Sequence, residues 1–80
     1  MQHQELVLHL RELITIIDPN LPLDLPEAAP FQDVQLDSLD LVEFVARLEQ
    51  RFGIMIADTD LGCFSSLQAS AQYIEAHLPT

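Results

Sequence analysis

The sequence predicts an all-α chain of three main helices and one short helical turn, on three observations. Apolar residues recur at three- and four-residue spacing in three separate stretches. A loop holding four prolines separates the first two of them. The one short apolar run outside them, Ile54-Met55-Ile56, has no second strand to pair with and is expected to be a buried loop. The 80 residues make one domain over 1–80, and a chain of that length buries only about 60 to 65 % of its unfolded surface, so the core is small.

The first helix is expected from about His3 to Ile17, with Leu6, Leu10, Leu13, Ile14 and Ile17 on one face and Val7 beside it. It stops at Asp18-Pro19, because a residue before proline is pushed out of the helical region. Residues 18–36 carry Pro19, Pro22, Pro26 and Pro30, which forbid a long helix. They also carry Leu21, Leu23, Leu25, Phe31, Val34 and Leu36, too many apolar groups for a free linker, so the loop should lie across the helices.

Asp37 is a good N-cap for the second helix, and Asp40 can reach back to it as a short capping box. That helix should run to Arg51 or Phe52, with Leu41, Phe44, Val45, Leu48 and Phe52 inward and Gly53 closing it. Leu39, Val42 and Ala46 fall on another side, next to acidic groups, as an exposed docking strip would. Asp58 to Phe64 holds a short turn interrupted by Gly62. Ser65 with Gln68 matches a capping box for a last helix striped by Leu67, Ala71, Ile74 and Leu78 and ending at Pro79.

Thirteen acidic residues oppose three basic ones, a formal net charge of −10 that repels nucleic acid and anionic membranes and favours partners with basic patches. The same charge also serves plain solubility. The lone cysteine fits a reducing compartment, no segment resembles a signal peptide, and no apolar run reaches the ~18 residues of a membrane span. A cytoplasmic monomer is the expectation.

Ser38 stands where the proline-rich loop becomes the second helix, inside Leu36-Asp37-Ser38-Leu39-Asp40. Its hydroxyl sits at a helix N-terminus, where free N–H groups and the positive end of the macrodipole favour an attached phosphate. An Asp-Ser pair also serves simply to start a helix. No base neighbours Ser38 in sequence, which makes it a poor candidate for a triad-type nucleophile.

The run Phe31-Gln32-Asp33-Val34-Gln35-Leu36-Asp37-Ser38-Leu39-Asp40-Leu41-Val42-Glu43-Phe44, with Leu48-Glu49, Phe52-Gly53-Ile54, Ile56-Ala57-Asp58 and Gln72-Tyr73-Ile74, resembles the acyl carrier proteins of fatty-acid and polyketide synthesis. The resemblance covers essentially the whole chain. It implies a bundle of three main helices plus a short one, and 4'-phosphopantetheine on Ser38, preceded by Asp37. It further implies a phosphopantetheinyl transferase that attaches the arm from coenzyme A with magnesium, and acyl-loading and acyl-processing enzymes, for which the outward side of the second helix, Leu39, Asp40, Val42, Glu43 and Ala46, is the docking surface expected from helical spacing and charge. The carrier itself catalyses nothing, and the core residues Phe44, Val45, Ile54, Ile56, Leu61 and Phe64 double as the lining of an acyl cavity.

The chain departs from the family pattern at three places. Gln35 replaces the usual glycine three residues before the serine, Ala46 replaces a larger apolar residue, and Arg47 and Arg51 make the second helix less acidic. These point to a dedicated partner set in a specialised pathway. The alternatives are an aminoacyl or peptidyl carrier, disfavoured by the absence of a Leu-Gly-Gly run, and an unmodified acidic helical adaptor. Cys63 is expected to be buried and structural. Glu5, His9 and Glu12 are expected to form a solvated face and hold no metal. His3 and His77 have no obvious partners in sequence.

Overall fold

A computed structural model describes residues 2–22, 24–34 and 36–78. Among them are three α helices, α1 (His3–Ile17), α2 (Ser38–Phe52) and α3 (Leu67–His77), and two 3₁₀ helices, η1 (Phe31–Val34) and η2 (Asp58–Phe64). Helix α1 packs against both α2 and α3, and η2 bridges α2 and α3. The core forms where the helix stripes meet: Leu6, Leu10 and Leu13 from α1, Phe44, Val45 and Leu48 from α2, Leu67, Ala71 and Ile74 from α3. This is the all-α bundle that the sequence predicts.

Local chemistry sets each boundary. Asp18 is extended at ψ 93°, as the residue before Pro19 must be, and its N–H still donates to the Ile14 carbonyl at 2.9 Å. Gly53 ends α2 in the left-handed region at φ 66°, with its N–H bonded to the Glu49 carbonyl at 2.9 Å. The Glu49 carboxylate then accepts the N–H of Ile56 at 3.0 Å, turning the chain back so that Ile56 is buried while Met55 stands 91 % exposed. The 54–56 run is a loop, but buried only in part.

The proline-rich loop lies on the bundle through buried Leu21, Leu25 and Phe31, with Val34 and Leu36 packed against the core. Two backbone hydrogen bonds pin it to the other side of the molecule, Phe31 N–H to the Ser65 carbonyl and Gln68 N–H to the Glu27 carbonyl, both 2.8 Å. The loop is not wholly irregular, since η1 forms where Phe31 is anchored. The expectations placed on Leu23, Gln35 and Pro79 lie outside the described residues.

The structure corrects four local expectations. η2 runs unbroken through Gly62. The N-cap of α3 is Ser66 rather than Ser65: its Oγ accepts the Ala69 N–H at 3.0 Å, while Ser65 is still helical and closes η2. Cys63 is exposed. With three residues per turn, the 3₁₀ helix eclipses Leu61 with Phe64 on the inner side and leaves Cys63 off that face. His3 and His77 both have partners: His3 bonds to Glu27 and Glu75, and His77 stacks on Tyr73 with ring centroids 4.1 Å apart.

Candidate functional site

Ser38 is the first residue of α2 and its side chain is exposed. The helix start beneath it is held without its help. Asp37 Oδ1 accepts the Asp40 N–H at 2.8 Å, and Asp40 Oδ2 accepts the Asp37 N–H at 3.4 Å, a reciprocal capping box with a strong and a weak arm. The first-turn N–H groups of Ser38 and Leu39 have no carbonyl within the helix to bond to, so the positive end of α2 is directed at the serine.

A cleft of about 400 Å³ opens beside this hydroxyl. Its walls are Leu36 and Leu41 around the start of α2, Phe31 of η1, Leu61 and Phe64 of η2, and Ile14 of α1; Asp37, Ser38, Asp40 and Ser65 add its polar lining. An apolar cleft with a few convergent polar groups is the common form of a small-molecule site. Of the core residues expected to line such a cavity, Leu61 and Phe64 do so, whereas Phe44, Val45, Ile54 and Ile56 do not. Phe44 is fully buried, edge-on to Phe31 with centroids 5.8 Å apart, so that space is already filled. Ile14, Phe31 and Ser65 were not foreseen. They arrive from three segments distant in sequence, and only the loop's anchoring signals hinted at Phe31.

On the outer face of α2, Leu39 is 77 % and Val42 50 % exposed, and Ala46 is also exposed. Asp40 and Glu43 flank them, and Glu43 is engaged by Arg47 at 3.0 Å, one turn further on. The outer strip is therefore less negative than its composition implies.

The other candidates do not converge. Among the described residues no group of histidine, cysteine, aspartate and glutamate is arranged to hold a metal ion. His9 is half-buried rather than exposed: its Nδ1 accepts from Arg51 at 3.1 Å and its ring meets Phe52 edge-on. No helix described is long and apolar enough to cross a membrane.

Residues 10–74 match the family described as "Phosphopantetheine attachment site". An acyl carrier protein of Rubrobacter xylanophilus is 36 % identical over 52 residues, 65 % of this chain and 64 % of the relative, so the match spans just under two thirds of that relative's length. The family match runs from the middle of α1 to the last turn of α3, taking in the bundle, the cleft and the start of α2. The chain thus belongs to the phosphopantetheine attachment site family, whose cofactor is phosphopantetheine, and is similar within it to an acyl carrier protein.

Proposed function

We propose that this chain carries 4'-phosphopantetheine on Ser38 and shuttles acyl intermediates between partner enzymes without catalysing a reaction itself. The observation that carries the reading is an exposed serine at the positive end of α2, beside an apolar cleft and unused by the cap beneath it. The residues fit the group. The first-turn N–H groups of Ser38 and Leu39 would hold a phosphodiester on Ser38 Oγ, while Asp37 and Asp40 turn acceptor atoms toward the backbone and hold the turn in place. When bound, the arm supplies a terminal thiol that holds an acyl group as a thioester. Leu39, Val42 and Ala46 offer a partner apolar contact, and Asp40 and Glu43 attract a basic rim, the division of labour expected between an interface core and its periphery. Arg47 and Arg51 support a dedicated partner set, as in a specialised pathway, working in the cytoplasm. Nothing specific favours the aminoacyl carrier or the unmodified adaptor.

Thiol titration under native conditions tests the reading, because exposed Cys63 is the sole thiol of the unmodified chain. After incubation with coenzyme A, magnesium and a phosphopantetheinyl transferase, the reactive thiols should rise from one to two in the parent and stay at one in Ser38→Ala. A count that stays at one in the parent, with a control carrier loaded in parallel, would overturn it.

A further inference from the structure

We propose that His3 is a proton-operated clasp. As an imidazolium it ties the start of α1 to both the proline-rich loop and α3, and loss of one proton releases one of those ties and loosens the loop that walls the cleft beside Ser38. The proposal is independent of what Ser38 carries.

The geometry dictates the charge state. His3 Nε2 meets Glu27 Oε1 of the loop at 2.9 Å, and its Nδ1 meets Glu75 Oε1 of α3. A carboxylate only accepts hydrogen bonds, so both ring nitrogens must carry hydrogen, and only the imidazolium does. Either neutral tautomer turns a lone pair toward one of the carboxylates. Hydrogen bonds to Glu75 first and Glu27 second raise His3 above the ordinary imidazole value, against an opposing effect of desolvation. These two are the charged groups acting on the ring from the elements packed against it.

The clasp sits where the loop is attached to the rest of the molecule. Glu27 contributes its side chain to His3 and its carbonyl to the Gln68 N–H of α3, and the next anchor, Phe31 N–H to the Ser65 carbonyl, carries Phe31 into the cleft wall. Because the folded-state value is raised, the tie contributes fully below the unfolded value of about 6.5 and is lost as pH rises through the folded one. Losing the positive charge also deepens the repulsion within a chain whose formal net charge is −10 with its histidines neutral. The three side chains are each somewhat under half exposed, so added salt should weaken the clasp.

Amide hydrogen exchange with an imidazole titration by NMR tests this, on the parent, His3→Gln and Glu27→Gln. The His3 midpoint should lie above about 6.5 in the parent and fall in Glu27→Gln. Protection factors at the Phe31 and Gln68 amides should be higher in the parent than in His3→Gln at pH near 6, and this advantage should vanish by pH near 9. Glu27→Gln, which keeps the α1–α3 tie, should lose the pH dependence at those two amides. A His3 midpoint at or below the ordinary value overturns the proposal, as does an advantage over His3→Gln that is absent at pH near 6 or unchanged at pH near 9.

Discussion

Val42 and Val45 lie three residues apart on α2, one 50 % exposed and the other 4 %, so the same truncation at both reads out which way the helix faces. At Val45, replacement by alanine removes two buried methyl groups, about 1.6 kcal/mol at ~0.8 kcal/mol per buried carbon. The residual cavity adds to this, and alanine's better helix propensity offsets about 0.5 kcal/mol, leaving a net loss near 1.5 to 2 kcal/mol. At Val42 only about half the transfer term applies, and the propensity gain nearly cancels it. In a domain of this size 1 kcal/mol moves the unfolding midpoint by about 4 to 8 °C. Val45→Ala should therefore lower the midpoint by about 6 to 12 °C or more, and Val42→Ala by no more than about 3 °C. Thermal circular dichroism measures the shift, and the rate of transferase modification measures docking. Val42→Ala should slow modification of a fully folded protein, and Val45→Ala should slow it only as far as it unfolds the chain. Equal midpoint shifts, or a larger one at Val42, would show that the outward strip is part of the core and refute the docking face.

Three further outcomes follow. Asp37→Ala removes the acceptor of the Asp40 N–H and should cost about 1 kcal/mol, read by denaturant unfolding. Gly53→Ala meets no atom within 4 Å, so its cost of about 1 kcal/mol comes from the left-handed backbone alone and should be smaller for Gly53→Asn in the same assay. Charge reversal at Asp40 and Glu43 together should slow transferase association most at low salt, beyond the loss of about 1 kcal/mol or less expected from removing the weak Asp40 arm of the cap and placing positive charge in the first turn of α2; equal rates across a salt series would count against electrostatic docking.

The helices were legible because their signals are local. The spacing of Leu6, Leu10 and Leu13, the break at Pro19, the Asp37–Asp40 pair and Gly53 act within a few residues, and α1 and α2 fall where these mark them. Features that rest on distant contacts were not legible. η1 exists in a loop because Phe31 is pinned to Ser65, and the partners of His3 lie 24 and 72 residues away. Ser65, with Gln68 three residues on, fits the capping-box pattern better than Ser66, which is followed at that spacing by Ala69, and the choice was made by where η2 ends. The reading of Cys63 as buried followed the usual habit of the residue type, which the eclipsed geometry of a 3₁₀ helix overrode. At the site, Ser38 and its cap were readable from five consecutive residues, while the cleft, assembled from four segments, was not.

The central claim is that the arm is attached at Ser38, and Ser65 is the informative competitor, because it is also exposed, also lines the cleft and precedes the N-cap of α3, but there the Ala69 N–H is taken by Ser66 Oγ and the Gln68 N–H by the Glu27 carbonyl. Peptide-level mass spectrometry of the transferase-loaded parent distinguishes the two. The account predicts a single phosphopantetheine on the peptide containing Ser38 and none on the peptide containing Ser65; modification at Ser65, or an unmodified Ser38 in a loaded protein, would contradict it.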